Sequence, residues 1–178
     1  MPENERVYIV GFMGSGKSTA GKKLASALQW SFIDLDRKIE DFTGKTIPVI
    51  FETEGEQNFR KIEAEVLRSV GTVAKTVIST GGGTPCHGDN MDFMLMTGLT
   101  VYLKLTPSQL TSRLLESSGE RPLIKNIPDD QLNDFIEKKL AQREIFYSRS
   151  LITAEGYNLN ISALQAAIIS SIYKKGTI

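Results

Sequence analysis

The sequence predicts an α/β fold in which a parallel sheet is covered by helices on both faces. Apolar runs typical of strands alternate with helix-like segments along the chain, which is the element order of such a sheet. The predicted strands are short, continuous apolar runs, as strands buried on both faces require. The first strand also runs directly into a glycine-rich loop, and ligand-binding loops of open α/β sheets lie at the carboxyl ends of strands.

The amino-terminal half contains two predicted strands and four predicted helices. An apolar run that ends in glycine, Arg6–Gly11, predicts the first strand, and Ser31–Asp34 predicts the second. Between them, leucines and alanines recur at helical spacing over Lys17–Gln29. Three further helix-like segments each end at or near a glycine, which is a common stop signal. They are Asp36–Phe42, Thr46–Phe51 and Glu56–Val70, followed by Gly44, Gly55 and Gly71.

The carboxyl-terminal half continues the alternation. The β-rich run Lys75–Thr80 predicts the third strand and Leu99–Leu105 the fourth, with a helix over Asp89–Met96 between them. Thr106 and Pro107 open the next helix as its N-cap and first-turn residue. Residues 117–128 are polar, contain a glycine and two prolines, and predict a loop. The remaining elements are a long helix over Asp129–Ser148, a short strand over Leu151–Ala154 and a terminal helix over Ser162–Lys174.

Composition restricts the classes of function. With 178 residues, we expect one domain over residues 1–178. The 21 basic and 21 acidic residues balance, so no basic excess indicates a nucleic-acid partner. A single cysteine excludes a disulfide framework. The acidic amino terminus lacks a signal-peptide pattern, and no apolar run is long enough to span a membrane. We therefore expect a cytoplasmic protein and, from its balanced charge, a monomer.

The most specific single motif is the phosphate-loop pattern G-x-x-x-x-G-K-[ST], which Gly11–Ser18 fits. It follows a predicted strand and precedes a predicted helix, as phosphate binding requires. The glycines let backbone N–H groups point at phosphate oxygens, and the positive end of the helix dipole adds to the attraction. Lys17 can reach the β- and γ-phosphates and Ser18 can bind Mg²⁺, so the motif predicts a nucleotide-binding loop.

Three classes of protein use such a loop: small-molecule kinases, GTPase switches, and mechanical or DNA-linked ATPases. The chain has no Asn-Lys-x-Asp segment to read guanine, which counts against a switch. Its third predicted strand ends in hydroxyl residues and glycines, where many such proteins place a metal-binding carboxylate. The nearest carboxylates are Asp34 and Asp36, whose spacing puts both on one side of an extended chain. They can hold the metal and orient a nucleophilic hydroxyl, or Asp36 can simply cap the next helix.

Two loops and several arginines are further candidates. Gly81–Gly83 follows the third predicted strand and exposes backbone N–H groups, so we interpret it as a ligand-facing loop rather than a tight turn. Arg121 lies in the predicted loop 117–128, where it can close over the γ-phosphate and stabilise its charge. Arg60 and Arg143 lie on predicted helices, where a single arginine is most often a solvated surface residue.

Together these motifs resemble the shikimate kinase family, small P-loop kinases of aromatic amino-acid biosynthesis. The similarity runs from about Val7 to Tyr147 and keeps the order of the family's motifs. Its most specific combination is Asp-x-Asp from Asp34, Phe-Arg-x-x-Glu from Phe59, Gly-Gly-Gly and Arg-Pro-Leu. The resemblance implies a P-loop NTPase fold with a five-stranded parallel sheet and a mobile lid over about 116–128. It also implies transfer of the ATP γ-phosphoryl group to the 3-hydroxyl of shikimate.

The resemblance further implies roles for single residues. Lys17, Asp36 and Arg121 are the implied catalytic residues, and Asp36 orients or deprotonates the acceptor hydroxyl. The acceptor binds in a region of about residues 35–63 and at the glycine loop, with two arginines on its carboxylate. The residues implied to bind the acceptor are Asp36, Arg60, Gly82, Gly83 and Arg143.

ATP and Mg²⁺ are the implied cofactors. Ser18 and, through water, Asp34 hold the metal, and Arg113 lies along the adenine. Residues 155–160 lack the basic residues and proline that the family usually places there, so no base contact is implied at that loop. Another small-metabolite kinase, such as a gluconate kinase, and a catalytically silent nucleotide-binding regulator are the alternatives. The residues implied to bind the nucleotide are Gly14, Ser15, Gly16, Lys17, Ser18, Thr19, Arg113 and Arg121.

Overall fold

The computed structural model describes residues 5–116, 124 and 127–175, with side chains described through residue 172. Its strands are β1 (Arg6–Val10), β2 (Ser31–Asp34), β3 (Thr76–Ser79), β4 (Leu99–Lys104) and β5 (Ile152–Glu155). Its helices are α1 (Lys17–Leu28), α2 (Leu35–Thr43), α3 (Ile47–Val70), α4 (Asn90–Thr97), α5 (Pro107–Glu116), α6 (Asp129–Tyr147) and α7 (Ile161–Lys175). A short 3₁₀ helix, Thr84–Cys86, lies between β3 and α4.

The five strands form one parallel sheet in the order β2-β3-β1-β4-β5, which confirms the predicted fold class. The central strand β1 is buried along its whole length, whereas the edge strands β2 and β5 are only partly buried. This difference explains why the middle strands are continuous apolar runs. None of the described helices is long and apolar enough to cross a membrane.

The strand order places three loops at one edge of the sheet. The chain leaves β1, adds β2 and then β3 on one side, and crosses over β1 to place β4 on the other side. Because all strands are parallel, the loops that follow β1, β2 and β3 meet at the same carboxyl edge. In open α/β sheets this edge, where the strand order reverses direction, is the usual place for a ligand.

The helix boundaries follow the sequence signals closely. The two helices predicted on either side of Gly55 meet at a kink inside α3, where Gly55 has φ 78° and ψ 165°. The hydroxyl of Thr106 accepts the N–H of Gln109 at 3.3 Å, which confirms Thr106 as the cap of α5. The 3₁₀ helix around Pro85 was not predicted, because three residues are too few to show a periodicity.

The structure corrects the expected geometry of Asp34 and Asp36. The helix α2 begins directly after β2, so these residues do not lie along one extended chain. Asp34 is the N-cap of α2 and accepts the N–H of Arg37 at 3.4 Å, whereas Asp36 lies in the first helical turn. The alternative in which Asp36 caps the helix is therefore wrong. The predicted lid over about 116–128 lies largely outside the described residues, and Arg121 lies outside them.

Candidate active site

The phosphate loop connects β1 to α1 and presents its backbone to the cleft. Gly11, Gly14 and Gly16 all have positive φ angles, which residues with side chains rarely adopt. Gly16 is the N-cap of α1 and offers no side chain to bond the first N–H groups of the helix. Those groups therefore point outward, and with the helix dipole they form an anion-binding end. The buried Lys17 donates to the Phe12 carbonyl oxygen at 2.8 Å, so its ammonium group lies against this loop.

Ser18 and Asp34 bring two oxygen ligands together beside the phosphate loop. The Ser18 hydroxyl donates to Asp34 Oδ2 at 2.5 Å and lies 3.3 Å from the Ser79 hydroxyl at the end of β3. Hydroxyl and carboxylate oxygens suit Mg²⁺, which usually takes one or two carboxylates and completes its shell with water and phosphate oxygens. This pair therefore fits the metal that the sequence implies. The described residues contain no cluster of three or more His, Cys, Asp or Glu side chains able to hold a metal.

Asp36 points into the same cleft from the first turn of α2. Burial raises the pKa of its carboxyl group to about 6, and the negative charges of Asp34 and Glu63 raise it further. The ammonium group of Lys17 acts in the opposite direction and lowers this pKa. A carboxylate with a pKa near 6 is ionised at neutral pH and is basic enough to accept a proton from a bound hydroxyl.

The three glycines after β3 allow other side chains to approach closely. A Cβ at Gly81 would lie 2.8 Å from Asp36 Oδ1, and a Cβ at Gly83 would lie 2.8 Å from Arg60 Nη2. A Cβ at Gly82 would lie 3.1 Å from the backbone nitrogen of Met13 in the phosphate loop. None of the three has a positive φ angle, so turn geometry does not require them. The loop is glycine-rich because it packs closely against Asp36, the phosphate loop and Arg60.

Arg60 is fixed by two carboxylates of its own helix. Its guanidinium bonds Glu63 Oε2 at 2.8 Å and Glu56 Oε1 at 3.0 Å, at i, i+3 and i, i+4 spacings on α3. Glu63 is buried, and its other oxygen accepts the Thr84 hydroxyl at 2.6 Å. This network ties the helix that carries Arg60 to the residue following the glycine loop.

Arg143 reaches the cleft from the long helix α6. Its guanidinium lies over the ring of Phe12, with Cζ 5.3 Å from the ring centroid. A Cβ at Gly82 would lie 3.4 Å from Arg143 Nη1, so the guanidinium also borders the glycine loop. Among the described residues, no carboxylate lies within ion-pair distance of Arg143. Arg143 therefore brings a positive charge to the cleft that these residues do not balance.

Two cavities lie on either side of the phosphate loop. The first, of about 510 Å³, is bordered by the phosphate loop, both aspartates, the glycine loop and both arginines. The second, of about 520 Å³, is lined by Thr19, Arg113 and the loop after β5, and Gly16 borders both. Arg113 donates to the Ser15 carbonyl oxygen at 2.9 Å and to the Gly156 carbonyl oxygen at 3.1 Å. It thus joins the phosphate loop to the loop after β5.

Comparison with known proteins identifies the family. The family model for shikimate kinase matches residues 13–173 of the chain. The chain belongs to the shikimate kinase family. A curated shikimate kinase from Bacteroides fragilis is 44% identical over 145 residues, which are 82% of this chain and 81% of the relative. This membership makes the protein a transferase, an ATP-dependent kinase of the shikimate pathway, as the sequence motifs implied.

Solved structures agree with the assignment. A structure named "Shikimate kinase from Acinetobacter baumannii in complex with shikimate" superimposes with a TM-score of 0.84 at 32% identity, covering 98% of this chain and 96% of that one. A gluconokinase from Sinorhizobium meliloti superimposes with a TM-score of 0.62 at 15% identity, covering 98% and 99% of the two chains. At that identity the second likeness shows a shared fold alone. The shikimate kinase interpretation is therefore favoured over the gluconate kinase alternative.

The structure brings together most of the residues that the shikimate kinase motifs singled out. The first cavity collects the phosphate loop, Asp34, Asp36, Arg60, Gly82, Gly83 and Arg143, and the second collects Ser15, Thr19 and Arg113. Sequence reasoning assigned no role to Glu63, which ends the Phe-Arg-x-x-Glu motif, or to Tyr147, which ends the stretch of similarity. For Glu63 the available signal was its i, i+3 spacing from Arg60, which permits an ion pair on a helix.

Proposed function

We propose that this cleft transfers the γ-phosphoryl group of ATP to the 3-hydroxyl of shikimate and that Arg60 and Arg143 bind the acceptor's carboxylate. The observation that carries the proposal is that two guanidinium groups, on different helices, line one cavity together with the phosphate loop. A planar guanidinium suits a carboxylate, because its parallel N–H groups match the two oxygens. The Acinetobacter baumannii relative was solved with shikimate bound, which supports this choice of acceptor.

The nucleotide lies across both cavities in this proposal. The backbone N–H groups at the start of α1 and the ammonium group of Lys17 bind the phosphates, and the second cavity beside Arg113 receives the base. Ser18 and, through water, Asp34 hold Mg²⁺, which neutralises phosphate charge when it is bound. Arg121, placed by the sequence in the lid, completes the proposed site from a segment outside the described residues.

In the chemical step, Asp36 orients the 3-hydroxyl and accepts its proton. The hydroxyl oxygen attacks the γ-phosphorus, the bond between that phosphorus and the β,γ-bridging oxygen breaks, and ADP leaves with the electron pair. Lys17 and the loop N–H groups stabilise the negative charge that develops on the phosphate oxygens. The products are ADP, shikimate 3-phosphate and one proton carried by Asp36.

The direct test is a coupled ADP-release assay with shikimate, with gluconate and with no acceptor. We expect turnover with shikimate and only background rates in the other two reactions. Turnover with gluconate instead would identify a different metabolite kinase, and no turnover with either acceptor would identify a silent nucleotide-binding protein.

We predict that Arg60→Lys impairs the reaction strongly although it keeps the charge. A point ammonium cannot reproduce the planar fork, so the loss of one charge-assisted contact should cost about 1.5–3 kcal/mol, or roughly ten- to 150-fold in kcat/KM. The measurement is kcat/KM of both proteins for shikimate and for the analogue whose carboxylate is reduced to an alcohol. The loss in kcat/KM should be much smaller for the alcohol, because that acceptor has no carboxylate for the Arg60 guanidinium to bind.

Arg68→Lys is the matched control for this experiment. Arg68 lies two turns further along α3, bonds Asp89 and Asn90, and lines neither cavity. We expect it to leave kcat/KM close to the wild-type value. If Arg60→Lys impaired the acid and the alcohol equally, Arg60 would not read the carboxylate and the choice of substrate would have to be reopened.

We also predict that Asp34→Asn raises the Mg²⁺ concentration needed for half-maximal velocity. The substitution removes the negative charge beside Ser18, while asparagine caps a helix about as well as aspartate, so α2 should stay intact. The comparison is with Asp36→Asn, which should lower the maximal velocity without changing the Mg²⁺ requirement. Titrating Mg²⁺ against both variants decides this, and identical responses would show that the two roles are wrongly divided.

A further inference from the structure

Tyr147 connects two parts of the acceptor site through one hydroxyl group. Its side chain is wholly buried at the end of α6, and its hydroxyl donates a hydrogen bond to the Gly82 carbonyl oxygen. The guanidinium of Arg143, which lies one helical turn earlier, is beside this hydroxyl, and its positive charge acts to lower the pKa of the phenol. The guanidinium also borders Gly82, since a Cβ at that position would lie 3.4 Å from Arg143 Nη1. Burial raises the pKa of Tyr147, so the phenol keeps the proton that it donates to Gly82.

The surrounding packing holds this hydroxyl in place. The Tyr147 ring packs on Tyr102 of β4, with centroids 5.2 Å apart and planes tilted by 35°. The Tyr102 hydroxyl in turn donates to Glu144 Oε2 at 2.6 Å, which ties the strand to α6. On the other side, Arg143 lies over the ring of Phe12. Neighbouring side chains therefore lead from β4 through Tyr147 and Arg143 to Phe12 in the phosphate loop.

We propose that Tyr147 is a positioning residue that fixes the Arg143 guanidinium and the Gly82 backbone relative to each other, and so orders the binding site for the acceptor's carboxylate. The inference rests on the proposed function of Arg143. An arginine side chain has several rotatable bonds, and holding it before the substrate arrives reduces the entropy lost on binding. The buried phenol beside the guanidinium limits this freedom, and its hydrogen bond to Gly82 fixes the loop that the guanidinium and the proposed acceptor both border.

Arg143 needs such support more than Arg60 does. Two carboxylates, Glu56 and Glu63, already fix the Arg60 guanidinium, but Arg143 has no ion-pair partner among the residues that the structure describes. A carboxylate beside Arg143 would cancel the charge that attracts an anionic acceptor. A phenol orients the guanidinium and leaves its full charge available, which explains why a tyrosine rather than an acidic residue occupies this position.

The test is Tyr147→Phe in the full chain, which removes the hydroxyl and keeps the ring on Tyr102. We expect the KM for shikimate to rise by about ten-fold, the size of one lost buried hydrogen bond, with kcat and the KM for ATP changed by less than about two-fold. If Tyr147 had a merely structural role, the substitution would lower the stability of the fold and leave the KM for shikimate at its wild-type value.

Tyr8→Phe is the matched control, because Tyr8 is also wholly buried and bonds another side chain, Thr97, at 2.9 Å. Neither of these residues lines a cavity described above, so we expect the control to lose stability and keep its KM for shikimate. An unchanged KM in Tyr147→Phe, or an equal rise in the control, would overturn the positioning role. Since both comparisons use a wild type that phosphorylates shikimate, a wild type inactive with shikimate would instead overturn the proposed function.

Discussion

Asp36→Asn is expected to lower kcat by roughly 10²- to 10⁴-fold, the range typical of a positioned acid–base group. The substitution keeps the shape of the side chain and removes the charge that orients the acceptor hydroxyl and takes up its proton. The KM for ATP should change little, because the proposed phosphate contacts come from the start of α1 and from Lys17. Steady-state kinetics with both substrates varied would show this separation.

The same substitution should make the folded protein more stable at alkaline pH. The folded pKa of Asp36 lies at about 6, above its unfolded value of 3.8, so ionisation in the cleft opposes folding. In the wild type, the stability due to the neutral carboxyl is fully present below about pH 4 and is lost as the pH rises through 6. Asparagine does not ionise, so the variant has no corresponding loss of stability at this position between pH 4 and pH 8. We expect it to be about 1–2 kcal/mol more stable at pH 8, allowing for partial exposure of the group to solvent.

Urea unfolding of the two proteins at pH 4 and at pH 8 measures this difference. The gap in unfolding free energy should be small at pH 4 and should grow towards pH 8. Equal stabilities at pH 8 would contradict the raised pKa, and a kcat close to the wild-type value would contradict the role of Asp36 as base. If the buried Asp36 carboxylate serves the reaction at a cost in stability, the asparagine variant should be folded, more stable and nearly inactive.

Lys17→Ala is expected to abolish measurable turnover while the fold survives. The ammonium group lies against the phosphate loop, so its loss removes the cation that we propose contacts the β- and γ-phosphates. The hydrogen bond to the Phe12 carbonyl oxygen is lost as well, and a bond of this kind contributes about 1 kcal/mol to stability. Circular dichroism establishes folding and the coupled assay measures turnover.

Lys22→Ala on the same helix is the control for this variant. Lys22 is exposed, lies with Nζ 5.9 Å from the centroid of the Phe32 ring, and lines neither cavity. Its replacement should leave turnover near the wild-type level, although both substitutions remove one positive charge from the same helix. Near-normal turnover of a folded Lys17→Ala protein would be incompatible with phosphate binding at this loop.

The parts of the site that could be predicted are those whose chemistry is local in sequence. The phosphate loop is eight consecutive residues, and its glycine angles and exposed N–H groups follow from the pattern itself. The break at Gly55 was predicted for the same reason, since a single residue with φ 78° is sufficient to interrupt a helix. The family resemblance then supplied the acceptor residues that local reasoning left as ordinary surface arginines.

What could not be predicted depends on contacts between distant residues. The Thr84 hydroxyl bonds Glu63 across 21 positions, and the Tyr147 hydroxyl bonds Gly82 across 65. No periodicity or motif indicates that such distant residues pair, so neither Glu63 nor Tyr147 received a role. The raised pKa of Asp36 has the same origin, because its main cause is burial by segments that only the folded chain brings together. The wrong geometry assigned to Asp34 and Asp36 came from extending β2 past the point where α2 begins.

The glycine loop has a consequence for inhibitors and for the mutations that could defeat them. Any substitution at Gly81 or Gly83 adds at least a Cβ, which would lie 2.8 Å from the side chain of Asp36 or of Arg60. A substitution that weakened an inhibitor there would therefore displace the proposed base or the arginine proposed to bind the carboxylate, and would harm the enzyme as well. A compound that bonds to the backbone amides of this loop would contact atoms that no side-chain replacement removes. Resistance to such a compound would have to arise elsewhere in the cleft.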